Sequence, residues 1–380
     1  MGRRNGNRSR RRGGLGALSD IVLLCFTLLC AGLLLCAYLA RYVSPEKAWF
    51  FAFAALIAPM LIVGNILAFF YWCVRWKRWA FVPLGALVLG VGYFPLFFKP
   101  EFKQHYPKEQ PKDALTVVTY NVMGFLAANP DGGLRWAPEG STSFLRETAP
   151  DIVCIQEFQC TGEGRKAQLD SLIGLPYCSV NYRIASAKGG GWGVAIYSRY
   201  PIIEGGKLDF PNSTNSSVWG DVVVGKDTLR VFSNHLQTTS VDKTELDYIS
   251  RHEFVDNSRR GDDVVRGIAS KLRRNFRIRA TQADTLAHII GQSPFRVIVC
   301  GDFNDTPMSY AYFRMRGDLD DAFVEKGRGM ASNTFNGLFD MLRIDYVFTS
   351  PEIEVLDYAT TDTGHSDHKA VTVRIRIPKP

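Results

Sequence analysis

Short apolar runs that end at polar or small residues recur between residues 115 and 377, and this pattern predicts buried β-strands. The clearest run, residues 295–300, is rich in β-branched side chains and stops at Gly301. Further runs of this kind occupy residues 115–120, 151–157, 192–198, 344–348 and 370–377. Two more, at 218–224 and 228–233, flank a short polar turn and predict a hairpin.

These runs predict an α/β fold in which strands outnumber helices. One charge-rich stretch, at about residues 243–290, has the character of a helix, and no internal repeat is evident. Because the strands arrive in groups, the sequence predicts two sheets packed face to face with helices outside them.

Three longer apolar runs precede the strands, at residues 21–40, 48–74 and 79–98. Each is about as long as a helix must be to cross a hydrocarbon core of ~30 Å. A cleaved signal peptide is the alternative for the first run, but the run exceeds the ~7–15 apolar residues typical of such peptides and lacks a clear cleavage site. The third run is interrupted by proline and glycine. We therefore predict about three transmembrane helices in residues 21–98.

The positive charge of the chain lies in its N-terminal part. Residues 1–112 contain 15 Lys and Arg against 4 Asp and Glu, whereas residues 113–380 contain 30 against 33. The basic tail, residues 1–20, and the link at 75–78 are predicted to be cytoplasmic, because positive loops tend to stay on that side. Three spans would then place the remainder on the extracytoplasmic side of a multi-pass inner or plasma membrane protein. A third run that is only interfacial would leave it inside.

A linker rich in Pro and Lys, residues 99–113, leads to a soluble domain at residues 114–380. In this domain Cys160 and Cys178 flank a loop and either pair in an oxidising compartment or stay as thiols. The sequence has no Cys-rich ligand cluster there, which argues against structural zinc. Residues 259–279 carry eight basic side chains, which either bind polyanions or form a solvated helical face.

Polar side chains follow the run at residues 295–300 directly. Alternation along an extended backbone would point Asp302 and Asn304 the same way, with Phe303 turned into the core. A carboxylate can orient or deprotonate a water, and an amide can donate to an oxyanion, so this pair suits hydrolysis. The alternative is an ordinary turn, in which Asp and Asn are common.

Six short motifs follow one another along the soluble domain. They are Tyr120-Asn121-Val122, Gln156-Glu157, Asn234-His235-Leu236, Gly301-Asp302-Phe303-Asn304, Arg343-Ile344-Asp345-Tyr346-Val347 and Ser366-Asp367-His368. In this order they resemble the endonuclease/exonuclease/phosphatase family, over about residues 115–377. The resemblance implies a four-layered α/β sandwich, with two mainly antiparallel sheets between layers of helices. It also implies a divalent-metal hydrolase of phosphate esters.

By this resemblance, Glu157 matches the principal magnesium ligand, and Asn121 and Asp367 match residues at or near the metal. Mg²⁺ is the expected cofactor, with Mn²⁺ as the alternative. Magnesium prefers oxygen ligands and keeps several waters, so one or two carboxylates and a substrate phosphate suffice to hold it.

The remaining motif residues match catalytic groups of the family. Asp302 matches the group that orients or deprotonates the attacking water, and Asn304 matches an amide that contacts the phosphoryl group. His368 matches the essential histidine, and Asp345 matches the aspartate paired with it. His235 matches a second histidine with an acid or phosphate-stabilising role, so His235 and Asn304 are also the predicted substrate-binding residues.

The resemblance leaves the substrate open. Met123 stands where abasic-site nucleases have an aspartate, which counts against a role in DNA repair. Nucleic acid, a phospholipid headgroup and a small phosphodiester or phosphomonoester remain as substrates, the lipid bilayer is a further partner, and no obligate protein partner is predicted. We expect a membrane-anchored, metal-dependent phosphoesterase; the alternative is a catalytically inactive, membrane-tethered scaffold that binds phosphoesters.

Overall fold

The computed structural model describes residues 6–100, 113–129, 131, 133–239, 259–330, 333–337 and 342–378. The chain divides into two compact units. The first comprises Met1–Pro95 with Met308–Tyr310, and the second comprises Leu96–Pro307 with Ala311–Pro380.

The first unit is helical. Its helices are α1 (Gly6–Leu39), α2 (Phe50–Leu56), α3 (Ala58–Val74) and α4 (Phe81–Leu89), and 3₁₀ turns lie at Arg78–Ala80 and Val91–Leu96. The bend between α2 and α3 measures 69°. Proline at the start of α3 accounts for this bend, because proline fits the first turn of a helix but not its interior.

Among the described residues, one helical segment is long and apolar enough to cross a membrane by itself, Leu18–Leu39 with 22 residues. Helices α2 and α3 pass the same test only as a bent pair, and the segment Arg78–Leu89 is shorter. The first helix therefore fits a membrane anchor or an N-terminal signal sequence. The predicted second and third spans remain a prediction, since both runs form broken helices.

The second unit contains the strands. They are β1 (Phe98–Lys99), β2 (Ala114–Asn121), β3 (Leu126–Ala128), β4 (Leu134–Trp136), β5 (Ile152–Gln159), β6 (Tyr177–Ala185), β7 (Gly191–Ser198), β8 (Ile202–Asp209), β9 (Ser216–Val224), β10 (Asp227–His235), β11 (Arg296–Asp302), β12 (Asp320–Asp321), β13 (Gly329–Met330), β14 (Asp345–Thr349), β15 (Glu354–Thr361) and β16 (Ala370–Arg376). Its helices are α5 (Glu139–Thr148), α6 (Arg165–Ile173), α7 (Arg259–Gly291), α8 (Tyr310–Arg316, in this unit from Ala311 onward) and α9 (Ala322–Lys326).

Two six-stranded sheets form the body of this unit. Sheet I has the strand order β15-β16-β2-β5-β7-β6, and sheet II has the order β12-β14-β11-β10-β9-β8. The pairs β2–β5 and β10–β11 are parallel, and all other neighbours in the two sheets are antiparallel. The predicted hairpin is β9 and β10, and the predicted sandwich is confirmed. Of the predicted helix at residues 243–290, the part up to residue 258 lies outside the described residues. The part from residue 259 onward corresponds to α7.

The layers follow from the alternation of side chains along each strand. In sheet I, one set of side chains points toward sheet II and forms a buried aliphatic core with it, which includes Val117 of sheet I and Val231 of sheet II. The alternate set, such as Val118, points to the other face and packs with Leu145 of α5 and Leu169 of α6. On the far side of sheet II, the ring of Tyr312 in α8 packs edge-on against Phe348 of β14, and α7 bonds to the segments that follow β10 and β11. The order helix, sheet, sheet, helix is the predicted four-layered sandwich.

A buried ion pair holds the start of β14. Arg343 Nη1 lies 2.9 Å from Asp321 Oδ2, and the Tyr312 hydroxyl donates to the same carboxylate at 2.7 Å. Arg343 Nη2 also donates to the Leu96 carbonyl at 3.3 Å. Because β1 pairs with β13 just after Leu96, the segment 96–99 belongs to the second unit and helps satisfy a charge that would be costly to bury alone.

Candidate active site

Strand direction brings the predicted site residues to one edge of the sandwich. The carboxyl ends of β2, β5, β10 and β11 meet there, and the antiparallel strands β14 and β16 begin there. In sheet II the register pairs His235 with Asp302, and Asp302 with Asp345. Across the two sheets, Asn121 at the end of β2 donates from Nδ2 to Asp302 Oδ2 at 3.1 Å. His368 precedes β16 directly and completes the edge.

Asp302 lies at the centre of this edge and is 1% exposed. Its Oδ1 accepts the backbone N–H of Asn304 at 2.8 Å, and its Oδ2 accepts the side-chain amides of Asn121 and Asn304, each at 3.1 Å. Burial raises the pKa of Asp302 to about 6, although the charge of His368 acts in the opposite direction. The result is a fixed carboxylate that is a better base than an exposed one.

The two histidines flank Asp302 from opposite sides. His368 Nε2 lies 3.7 Å and His235 Nε2 lies 3.5 Å from Asp302 Oδ2. Burial would lower the pKa of His368, but the charges of Asp345 and Asp302 outweigh it and raise the pKa to about 10. His368 Nδ1 is 2.9 Å from Asp345 Oδ2, which fixes the ring. At neutral pH His368 is therefore an imidazolium.

His235, in contrast to His368, is a neutral ring at neutral pH. His235 is 4% exposed, and its Nε2 lies 3.5 Å from Asp302 Oδ2 and 3.9 Å from Glu157 Oε1. Burial lowers its pKa to about 4, with the charge of Asp302 opposing the shift. One site thus holds a charged and a neutral imidazole, which is the arrangement needed to separate donor and acceptor roles.

Glu157 owes its position to a β-bulge. The pairing of β5 with β7 shifts register between Ile155 and Phe158, and Glu157 adopts a φ of 54° within that interval. Its Oε1 accepts Asn121 Nδ2 at 3.3 Å, and its side chain is 21% exposed, so a cation in solvent can reach it. Burial raises the pKa of Glu157, and the neighbouring Asp367 adds to that shift.

Two groups of side chains offer ligand atoms for a cation. Asp302, Asp345 and His368 have one ligand atom each within 4.8 Å of one another. The proton that Asp345 and Asp302 stabilise on His368 makes this ring a poor ligand, because only the neutral imidazole binds metal. Glu157, with Asp367 beside it, offers carboxylate oxygens at the surface, and such a set fits a hard cation of the magnesium type.

Asn121 is oriented as a donor in this arrangement. Its Oδ1 accepts the backbone N–H of Met123 at 3.1 Å, which turns Nδ2 toward the carboxylates of Glu157 and Asp302. The amide thus ties the predicted metal-binding carboxylate to the predicted base. Because its oxygen accepts a backbone N–H, Asn121 lies beside the cation site and supports it through the hydrogen bond to Glu157.

Asn304 reaches the site in a way that strand alternation does not describe. Strand β11 ends at Asp302, and Asn304 has a φ of 52°, so the extended backbone expected through residue 304 is wrong. The left-handed turn folds the Asn304 amide back onto Asp302 and the Leu236 carbonyl, at 3.1 Å each. Strain of this kind persists where the surroundings fix the conformation, as they often do at active sites.

Two hydroxyl groups, which the sequence did not predict as part of the site, form hydrogen bonds to the predicted residues or their neighbours. Ser366 Oγ donates to the Asn121 carbonyl at 2.7 Å and accepts the backbone N–H of His368 at 3.1 Å. Thr334 Oγ1 accepts the backbone N–H groups of Ile344 and Asp345, both at 3.0 Å. Ser366 belongs to the motif Ser366-Asp367-His368, whereas nothing local in the sequence connects Thr334 to Asp345.

Asp367 is exposed, and its backbone carbonyl accepts the N–H of Asn336 at 2.8 Å. Its carboxylate is therefore the most solvent-accessible of the predicted cation ligands. Cys160 and Cys178 are both thiols, one buried and one exposed.

Family models match both parts of the chain. The model described as the endonuclease/exonuclease/phosphatase family matches residues 118–368. A model described as a domain of unknown function (DUF8431) matches residues 20–97. No curated protein matches the chain by sequence.

Solved structures with a similar fold come from several organisms. An endonuclease/exonuclease/phosphatase from Beutenbergia cavernae DSM 12333 is 20% identical, with a TM-score of 0.49, and the match covers 70% of this chain and 72% of that one. D. rerio TDP2 complexed with a single-strand DNA product is 14% identical, with a TM-score of 0.50, and the match covers 70% of this chain and 100% of that one. At such identities the likeness concerns the fold alone.

Proposed function

Since the chain belongs to the endonuclease/exonuclease/phosphatase family, we propose that its second unit is a divalent-metal-dependent phosphoesterase. The observation that carries the proposal is the convergence of Asp302 Oδ2 with His235 Nε2 at 3.5 Å and His368 Nε2 at 3.7 Å. A carboxylate base, an imidazolium and a neutral imidazole thus face one point. Attack of water on a phosphate ester needs these groups: one that takes a proton and one that stabilises negative charge.

Each residue has a role that follows from its charge and its partners. Asp302, held by three N–H groups, orients the attacking water and accepts its proton. His368 keeps its proton because Asp345 stabilises the imidazolium, and it offers Nε2–H to a phosphoryl oxygen. Asn304 turns its amide to the same place, and His235 contacts the substrate as a neutral ring. A divalent cation at Glu157 and Asp367, with Mg²⁺ first and Mn²⁺ second, would supply positive charge to the phosphoryl group.

The substrate is a phosphate ester, most simply a phosphodiester. The D. rerio TDP2 structure, whose fold is similar, holds a single-strand DNA product, so single-stranded DNA belongs among the first substrates to test. Met123, half-buried beside Asn121, brings an apolar side chain to the place where abasic-site nucleases have an aspartate. For this reason phospholipid headgroups and small phosphodiesters belong in the same test.

We further propose that the first unit anchors the protein in a membrane through three crossings. The contacts within this unit support the proposal. At one end, Asp20 of α1 accepts Tyr71 OH at 2.9 Å and pairs with Arg75 Nη2 at 2.8 Å. At the other end, the ring of Tyr93 stacks on Tyr38 of α1 at 4.9 Å.

The distance along α1 between these two sets of contacts is an estimate of the length that the third apolar run spans. Asp20 and Tyr38 lie ~27 Å apart along α1, given 1.5 Å per helical residue, and this is about the thickness of a hydrocarbon core. The chain therefore passes from the Arg75 end of α1 to its Tyr38 end between residues 75 and 93, even though α4 is short. A crossing of this kind would put the basic tail and the catalytic residues on opposite sides, with the catalytic unit extracytoplasmic.

The proposed activity is tested on the full chain in detergent. Single-stranded DNA, RNA, sphingomyelin, inositol phosphates and a simple aryl phosphodiester are offered with Mg²⁺, with Mn²⁺ and with a chelator. We expect hydrolysis of at least one substrate, abolished by the chelator. Asp302→Asn keeps the shape but removes the base, so kcat should fall ~10²–10⁴-fold.

The inactive-scaffold alternative makes a different prediction. A scaffold would bind one of these phosphoesters with equal affinity in the parent and in Asp302→Asn, and would hydrolyse none of them. Hydrolysis at the parent rate by Asp302→Asn would instead remove Asp302 from the mechanism. Glu325→Gln on α9 is the matched control and should leave kcat unchanged, since Glu325 lines a surface pocket with Arg296, at the opposite end of β11 from Asp302.

A further inference from the structure

Thr238 lies at the centre of a hydrogen-bond cluster behind the site. Its Oγ1 is 3.1 Å from Asn215 Nδ2, 3.3 Å from Asn304 Nδ2 and 3.2 Å from His235 Nε2. The three partners come from different places in sheet II: the loop before β9, the turn after β11 and the end of β10. A single half-buried hydroxyl thus joins three strand ends.

The number of available protons decides the direction of each bond. A threonine hydroxyl has one proton to donate and two lone pairs that accept. Asn304 presents Nδ2 here, because the same nitrogen donates to the Leu236 carbonyl at 3.1 Å. Asn215 also presents Nδ2, since its Oδ1 accepts the Ser213 hydroxyl at 3.4 Å. The two protons of Asn304 Nδ2 are shared among Leu236, Asp302 and Thr238, and neither amide nitrogen can accept a hydrogen bond. Of the three neighbours of Thr238, only His235 Nε2 can therefore accept its proton.

This direction has a consequence for the ring. A nitrogen that accepts a hydrogen bond carries no proton, so the neutral His235 holds its proton on Nδ1. Rotation of the ring about its Cβ–Cγ bond is also restricted, because the Thr238 hydroxyl holds Nε2 at 3.2 Å. The same hydroxyl keeps the Asn304 amide within 3.1 Å of Asp302.

We propose that Thr238 is a positioning residue, which fixes the tautomer of His235 and the orientation of Asn304 around Asp302. Its consequence for catalysis rests on the proposed phosphoesterase function; its consequence for the tautomer does not. Thr238 acts through His235 and Asn304, whose alignment with the reacting phosphate it maintains. Enzymes lose rate when such alignment is lost, even where the groups themselves remain.

The neighbouring threonine supplies a matched control. Thr239 Oγ1 accepts Arg279 Nη1 at 3.1 Å and Asn275 Nδ2 at 3.4 Å, so it too receives two donors. Neither partner belongs to the site. Replacement of either threonine by valine removes one hydroxyl and keeps the shape of the side chain, and only one of the two changes touches His235.

The kinetic test compares Thr238→Val, Thr238→Ser and Thr239→Val in the full chain. Loss of one buried hydrogen-bonding partner should lower kcat of Thr238→Val ~10–100-fold. KM and the metal concentration for half-activation should change less than about threefold, because neither Glu157 nor the outer surface is altered. Thr238→Ser should restore most of kcat, and Thr239→Val should match the parent. A parent-like kcat in Thr238→Val, or an equal loss in Thr239→Val, would overturn the proposal.

A spectroscopic test is independent of any substrate. Long-range ¹H–¹⁵N NMR distinguishes the two neutral tautomers of histidine, and the chain has six histidines to assign. We expect His235 to be protonated on Nδ1 in the parent and in Thr238→Ser, and to shift toward Nε2–H in Thr238→Val. An Nε2–H tautomer in the parent would overturn the inference. If no substrate is hydrolysed but the tautomer shifts as expected, the proposed function fails and the positioning role of Thr238 stands.

Discussion

The charge of each histidine in the site is set by its partners at the scale of single atoms. His368 has a carboxylate at 2.9 Å from Nδ1, and this contact overcomes the effect of burial on its pKa. His235 is buried to the same degree but has a hydroxyl as its nearest side-chain partner, at 3.2 Å from Nε2. Burial is then the largest effect on the pKa of His235 and lowers it to about 4. Two identical side chains therefore become a cation and a neutral ring within one site.

The charge of His368 predicts a pH dependence of stability in metal-free protein. Its pKa is about 10 in the folded chain against about 6.5 when unfolded, so the folded state holds the proton more tightly. This contribution is complete below about pH 6.5 and disappears as pH rises through about 10. The difference in unfolding free energy between the parent and His368→Gln should therefore shrink from pH 7 to pH 10. A constant difference in denaturant titrations over that range would contradict the charged state.

The position of Glu157 predicts its effect on metal activation. Glu157→Gln keeps the hydrogen bond from Asn121 but removes the negative charge that a cation needs. The metal concentration for half-maximal activity should rise ~10–100-fold, while kcat at saturating metal changes less. Glu163→Gln, an exposed glutamate shortly after β5, is the control. An unchanged metal titration for Glu157→Gln would exclude Glu157 as a cation ligand.

At the scale of elements, the strands and their ends could be predicted, but local irregularities could not. The run at residues 295–300 predicts β11 and the polar residues behind it, because buried strands leave a clear apolar signature. The bulge that turns Glu157 outward depends on how β5 pairs with β7, which is not a property of the β5 sequence. The left-handed turn at Asn304 is stabilised by contacts with Leu236 and Asp302, and the first of these residues lies directly after β10, far away in the sequence.

Gly301 shows how tightly the two central strands of sheet II are packed. It has a φ of 140°, and a Cβ there would lie 2.0 Å from the carbonyl oxygen of Asn234 in β10. Gly301→Ala should therefore cost ~1–3 kcal/mol from overpacking, in addition to ~1–2 kcal/mol for the backbone conformation. Gly225→Ala, at a φ of 64° in open space, should show only the second cost.

The measurement for this pair is thermal unfolding of the two variants beside the parent. Each kcal/mol lowers Tm by about 2–4 °C in a unit of this size, so Gly301→Ala should unfold several degrees below Gly225→Ala. Equal Tm values would mean that β10 and β11 can separate at little cost. Such separation of the strands would also move Asp302 away from His235, so it would be detected as a lower kcat in Gly301→Ala.

At the scale of the whole molecule, the sequence divides the chain by charge as well as by hydropathy. Residues 1–112 carry an excess of 11 positive charges and residues 113–380 an excess of 3 negative charges. The apolar runs were recognisable from composition, because the bilayer imposes a simple length requirement. Whether a run with proline and glycine still crosses depends on where it packs, and the stacking of Tyr93 on Tyr38 is not encoded in the composition of residues 79–98.

The proposed three crossings predict where Cys178 is found in an intact cell. Cys178 lies in β6, and its thiol is exposed. If the third run crosses, this thiol faces the outside, and a maleimide reagent that cannot pass the membrane should label it in intact cells. Cys178→Ser should remove that labelling, which separates it from the labelling of cysteines in the apolar helices. Labelling of Cys178 only after the cells are permeabilised would place the catalytic unit in the cytoplasm and limit the first unit to two crossings.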